Sequence, residues 1–123
     1  MPAPGCLISV IDDDASMLEA LGGLLRLLGF NVETYSSGEE FMRTGLVHSP
    51  SCILTDIHMP GISGIDLKRW LDDRACATPV IMITARSDPR LSAEAMASGA
   101  VCLLRKPFEV DALMDCLKRA QVV

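Results

Sequence analysis

Apolar and polar positions along this chain follow two different periods. Five short apolar runs, Cys6–Ile11, Asn31–Tyr35, Cys52–Thr55, Val80–Thr84 and Val101–Leu104, are separated by longer amphipathic stretches. Leu7-Ile8-Ser9-Val10-Ile11, Cys52-Ile53-Leu54 and Val80-Ile81-Met82-Ile83 are nearly continuous apolar segments. Strands read this way when helices cover both faces of their sheet. Asn31–Tyr35 alternates more, which suits a sheet edge.

The intervening stretches carry helix signals. Asp14 can cap a helix with Leu18, Leu21, Leu25 and Leu28 on one face, and Gly29 ends it. Ser37-Gly38-Glu39-Glu40 has the form of a capping box, in which the first side chain and the last satisfy each other's backbone N–H. Ser63 or Gly64 opens a third helix through Leu67, Trp70 and Leu71. Asp88-Pro89 supplies a cap and a first-turn proline for a fourth, which stops near Gly99. A fifth follows Pro107 and carries Val110, Leu113, Met114 and Leu117.

Five strands alternating with five helices predict an α/β domain, (βα)5, with a parallel sheet and right-handed crossovers. The length of 123 residues suits one domain over 1–123. Half of the residues are hydrophobic, which argues against disorder. A net charge of −5 argues against a nucleic-acid-binding surface. No segment is long and apolar enough to span a bilayer, and Met1–Gly5 lacks the basic and apolar regions of a signal peptide, so a cytoplasmic domain without membrane contact is expected. The five cysteines (Cys6, Cys52, Cys76, Cys102, Cys116) are odd in number, widely spaced and without a Cys-x-x-Cys pair. They are expected to be free thiols, four of them acting as small hydrophobes in apolar runs, rather than disulfide or zinc ligands.

In open parallel sheets, ligands bind outside the carboxyl ends of the strands. Asp12-Asp13-Asp14 follows the first strand, Asp56 the third and Lys106-Pro107 the fifth, and Thr84 ends the fourth. Taken singly, each has a plainer role. Asp14 is a helix cap; Asp12 and Asp13 are solvated loop acids; Asp56 is a turn residue before Met59-Pro60-Gly61; Thr84 is a strand residue; Lys106 is a surface charge. Chance is a poor account of five such groups at one edge of one sheet. Clustered carboxylates raise one another's pKa, and a hard divalent cation such as Mg²⁺ removes that penalty. An ionised aspartate is a competent nucleophile toward phosphorus, lysine neutralises phosphoryl oxygens, and a threonine hydroxyl can donate to them.

These residues resemble a known family, the response-regulator receiver domains (CheY-like). The likeness is carried by Val10-Ile11-Asp12-Asp13-Asp14, by Thr55 to Gly64, and by Ile83-Thr84-Ala85, Gly99-Ala100 and Lys106-Pro107-Phe108. It covers roughly residues 5 to 121, and the segments at Met59–Gly64 and Lys106–Phe108 look closest to FixJ-type transcriptional regulators. The resemblance implies strand order 2-1-3-4-5, the flavodoxin-like doubly wound sheet. It implies Asp56 as phosphoacceptor, Mg²⁺ held by Asp12, Asp13, Asp56 and the backbone carbonyl of His58, and Thr84 and Lys106 moving to or pairing with the phosphoryl group. It implies a sensor histidine kinase as donor, and a homodimer through helix four, strand five and helix five after phosphorylation. His58 and Arg86 would flank the path of attacking water. One position departs from the pattern: Leu103 stands where the family usually has an aromatic switch residue on the fifth strand.

Three rivals fit less well. A haloacid-dehalogenase-type phosphatase needs a second acid two residues after its nucleophile, where this chain has His58. A flavin or nucleotide module needs a Gly- or Ser/Thr-rich phosphate loop after the first strand, where three aspartates stand. A degenerate receiver serving only as an interaction module would not be expected to keep all five site residues. The chain is expected to catalyse nothing beyond its own phosphorylation and dephosphorylation. It ends at Gln121-Val122-Val123, soon after the fifth helix, so a stand-alone receiver or a piece of a longer regulator is expected.

Overall fold

A computed structural model of the chain describes residues 5–45, 49–85 and 87–122. Strands β1 (Leu7–Ile11), β2 (Asn31–Tyr35), β3 (Cys52–Asp56), β4 (Val80–Thr84) and β5 (Cys102–Arg105) alternate with helices. These are α1 (Ala15–Leu27), α2 (Gly38–Arg43), α3 (Gly64–Asp73), α4 (Pro89–Ala97) and α5 (Val110–Arg119). All pairings are parallel, in the order β2-β1-β3-β4-β5. Strand limits depart from the apolar runs by one residue at most.

Neighbouring side chains along a strand point to opposite faces, and here each face has its own cover. α1 and α5 lay Leu21, Leu25, Leu113 and Leu117 against Ile8, Val10, Leu54, Ile81, Ile83 and Leu104. α2, α3 and α4 lay Phe41, Leu67, Leu71 and Ala95 against Ile11, Ile53 and Met82. That is why β3 and β4 are buried at every position and need apolar residues without alternation. β2 is an edge strand and mostly exposed, as its alternation implied. Burying each large aliphatic side chain contributes roughly 1.5–3 kcal/mol, so covering the sheet, more than helix propensity, holds the helices in place.

The helix ends follow local chemistry. Asp14 accepts from the backbone N–H groups of Ser16 and Met17, and Gly29 leaves α1 at φ 100°, a conformation that costs a side-chain-bearing residue but not glycine. Asp88 caps α4, with Pro89 at its first position. Ser63 and Asp66 form a full capping box on α3. The box expected at Ser37 is half formed: Ser37 accepts from Glu40 N–H at 3.0 Å, but the Glu40 carboxylate turns to Ser36, accepting from its N–H at 3.1 Å and from its hydroxyl.

On α5, Leu113, Cys116 and Leu117 form the buried face, while Val110 is 45 % exposed. One expectation is corrected. Cys102 and Cys116 are joined by a disulfide, so the expectation of free thiols throughout fails for this pair. The turn from β5 into α5 brings their Cα atoms to 5.7 Å, an approach that a separation of 14 residues does not reveal. Cys6, Cys52 and Cys76 are buried and remain outside the disulfide, as expected. Among the described residues, no helix is long and apolar enough to cross a membrane.

Candidate functional site

The strand order puts β1, β3, β4 and β5 side by side with their carboxyl ends on one edge. Between β1 and β3 the chain reverses its direction of travel across the sheet, and a crevice opens at such a point. Asp12 follows β1, Asp56 and Thr84 are the last residues of β3 and β4, and Lys106 follows β5. Their backbones are tied in: Asp12 N–H donates to the Tyr35 carbonyl at 3.1 Å and Lys106 N–H to the Thr84 carbonyl at 2.8 Å.

The side chains converge. The Lys106 ammonium lies 2.9 Å from Asp12 Oδ2 and 3.2 Å from Asp56 Oδ2. Asp12 is 1 % exposed, Asp56 is 7 % exposed, and Asp13 is open to solvent. One carboxylate oxygen from each of the three aspartates falls within a 4.8 Å cluster. Backbone N–H groups take the remaining oxygens of the buried pair: Asp14 N–H donates to Asp12 Oδ1 at 3.0 Å, and His58 N–H to Asp56 Oδ1 at 3.3 Å. Thr84 is buried at the end of β4, beside Asp56 in the next strand.

Two buried carboxylates thus share one ammonium, and the third, Asp13, joins their cluster from the solvent side. Burial pushes the Asp56 carboxyl above its usual range, Lys106 opposes this, and the neighbouring Asp12 charge adds to it. For Lys106, burial favours the neutral amine, but the hydrogen bond to Asp12 and the charges of Asp56 and Asp12 outweigh it and raise its pKa. The cluster therefore has net negative charge, part of it buried. All its donors are oxygen, which suits a hard, partly hydrated divalent cation and gives a thiophilic one no ligand.

The loop after Asp56 is set by a close approach. A Cβ on Gly64 would stand 2.5 Å from the Asp56 carbonyl oxygen and 3.2 Å from Ile57 Cα, so only glycine lets α3 start this close to the end of β3. The Gly64 N–H donates to the Ile57 carbonyl at 3.0 Å across the same gap. Gly64 belongs to the Thr55–Gly64 segment, the trace that this close approach leaves in the sequence. An open pocket of about 340 Å³ beside the site is lined by Ile57, His58, Met59, Pro60 and Ser63. His58 Nε2 is buried there without a hydrogen-bond partner among the described residues. Arg86, paired with His58 by family resemblance, lies outside the described residues. Leu103 is half-buried and packs into the layer formed with α2, α3 and α4.

Fold and edge cluster together define a flavodoxin-like domain with a cluster of three carboxylates and one ammonium at its switch point. The family model for the response regulator receiver domain matches residues 8–118, and the chain belongs to that family, the receiver domains of two-component systems. It is 38 % identical over 111 residues to the transcriptional regulatory protein FixJ of Azorhizobium caulinodans, covering 90 % of this chain and 53 % of that protein. It is also 38 % identical over 113 residues to the C4-dicarboxylate transport transcriptional regulatory protein DctD of Pseudomonas aeruginosa, covering 92 % of this chain and 24 % of that one. The chain spans about half, or less, of the length of these relatives. Among solved structures, FixJ-N superposes with a TM-score of 0.86 at 33 % identity, over 94 % of this chain and 92 % of that chain. A response regulator receiver domain protein from Clostridium thermocellum gives the same score and identity, over 94 % and 93 %. The likeness to FixJ-type receivers holds in both sequence and fold.

Proposed function

We propose that this receiver domain, extending over 1–123, accepts a phosphoryl group on Asp56 from a phosphohistidine of a sensor histidine kinase. The observation that carries the reading is the Lys106 ammonium held between Asp12 and Asp56, with Asp13 in the same cluster. A carboxylate oxygen of Asp56 attacks phosphorus, the P–N bond breaks, and its electron pair goes to the leaving imidazole, which takes up a proton. Lys106 is positioned to neutralise oxygens of the transferred group, and the Thr84 hydroxyl to donate to one of them. Asp12, Asp13, Asp56 and the backbone carbonyl of His58 would hold Mg²⁺. When bound, the ion supplies positive charge that offsets the acidic cluster and the incoming phosphoryl group.

The domain acts on itself alone, as acceptor and as site of its own dephosphorylation, and it turns over no free substrate. It works in the cytoplasm, where the kinase's phosphohistidine is made. It binds no nucleic acid: its net charge of −5 opposes a phosphate backbone. Output passes through a homodimer that uses α4, β5 and α5. Met96 on α4 and Val110 on α5, 48 % and 45 % exposed, support that face. With Leu103 in place of an aromatic switch residue, α4 and the loop leading into it carry most of the change.

The experiment is labelling by a small acyl-phosphate donor with Mg²⁺. One phosphoryl group per chain, released by hydroxylamine and absent from Asp56→Asn, is the expected result. Undiminished labelling of that variant would move the acceptor elsewhere, with Asp13 the first alternative.

A further inference from the structure

A second piece of chemistry lies on the opposite side of β5 from Leu103. Cys102 on β5 and Cys116 on α5 are 6 % and 2 % exposed, and their Cα atoms are 5.7 Å apart. That distance lies within the window a disulfide requires, so the fold itself brings the two thiols into bonding range. The bond closes a loop that contains Lys106, the residue that joins Asp12 to Asp56. We propose that Cys102 and Cys116 are a reversible dithiol–disulfide pair, through which a low-molecular-weight disulfide oxidant fixes the Lys106 segment onto the domain.

The inference rests on the receiver reading, which puts the domain in a glutathione-buffered compartment. Disulfides of proteins there are usually transient or redox-sensing rather than permanent. Cys102 is suited to begin the exchange. It is the more exposed of the two, and the Arg119 guanidinium lies 4.0 Å from its sulfur, a positive charge that favours thiolate. Asp115, 3.0 Å from the same guanidinium, tempers that field. Cys52 contrasts: burial pushes its thiol up to about 12, so it stays protonated and unreactive.

The exchange balances in two steps. The Cys102 thiolate attacks one sulfur of the oxidant, whose S–S bond breaks to release one thiolate. The Cys116 thiolate then attacks the Cys102 sulfur of the mixed disulfide and releases the second. Two protein thiols are oxidised, one oxidant disulfide is reduced to two thiols, and the two protons pass to those thiols. In the dithiol state α5 has no covalent tie to β5 and is held on the sheet by apolar contacts, chiefly from Leu113 and Leu117, and by the Arg119 contact to Cys102. The 105–109 turn that carries Lys106 then has more freedom.

The test uses the whole chain in mixtures of reduced and oxidised glutathione, with alkylation under denaturing conditions and peptide mapping. Cys102 and Cys116 are expected to lose the alkylation label together in oxidising mixtures and regain it in reducing ones, while Cys6, Cys52 and Cys76 keep theirs throughout. Hydrogen exchange on the same samples is expected to show faster exchange across residues 105–113 in the dithiol state. Cys116→Ala should exchange like the dithiol state in both mixtures. A pair that stays alkylatable in every mixture, a pair that never reduces, or equal exchange in the two states overturns the proposal. Neither readout requires phosphorylation, so a failure to label Asp56 would count against the phosphoacceptor reading and leave this test standing.

Discussion

Replacing Lys106 by methionine removes the one ammonium that two buried carboxylates share, at contacts of 2.9 and 3.2 Å. At an effective dielectric of about 20, a unit charge pair at these distances is worth roughly 5 kcal/mol before desolvation. Desolvation of the groups takes back most of this, and hydrogen bonds to charged partners are worth about 1.5–3 kcal/mol each in net terms. The lysine's own desolvation is part of that cost, but its raised pKa shows that the two carboxylates outweigh it. The expected loss in metal-free protein near neutral pH is therefore about 2–4 kcal/mol. For a domain of this size that is a fall in melting temperature of roughly 8–16 °C. The pH dependence has a definite sign. The folded-state pKa of Asp56 is already raised, so the folded chain binds more protons than the unfolded one between the ordinary aspartate pKa and the raised value. Stability attributable to this group falls as pH rises through that window and recovers as pH falls. Without Lys106 the window widens upward, so the variant's deficit should shrink from about pH 7 toward about pH 4. Urea unfolding in EDTA at a series of pH values measures it, with Lys106→Arg as a charge-retaining control. A deficit below about 1 kcal/mol, or one independent of pH, would show that the ammonium does not hold the buried pair together.

Three further outcomes are expected. Mg²⁺ should shift the amide resonances of Asp12, Asp13 and Asp56, and Asp13→Asn should weaken its binding at least about tenfold, read by titration. Unchanged spectra on adding the ion would remove it from the site. Gly64→Ala should cost about 1–3 kcal/mol in denaturant unfolding and slow the labelling of Asp56, because its Cβ forces α3 away from the end of β3. A variant as stable and as readily labelled as the parent would contradict the close approach. A phosphoryl mimic should alter hydrogen exchange over 87–97 and promote association in sedimentation. Changes confined to α1, or no association, would refute output through α4 while leaving the acceptor assignment intact.

The strands and helices can be read from the residues alone, because their causes are local or periodic. Continuous apolar stretches at Val80–Ile83 and Cys52–Leu54 require cover on both faces, and Asp14, Ser63, Asp88 and Gly29 close helix ends within a turn of their own position. The candidate site was legible in outline too, since a parallel sheet brings residues at equivalent strand ends to one edge. Features that depend on distance across the fold are visible only once the elements are packed together. That Lys106 bridges Asp12 and Asp56, rather than projecting into solvent, follows from strand order and from the burial of both acids. That Gly64 must be glycine follows from how near α3 starts to the end of β3. Val110 is apolar, but at the first turn of α5 it is 45 % exposed. Cys102 and Cys116 read as two separate small hydrophobes, because periodicity records the face a residue turns inward and not which residue it meets there.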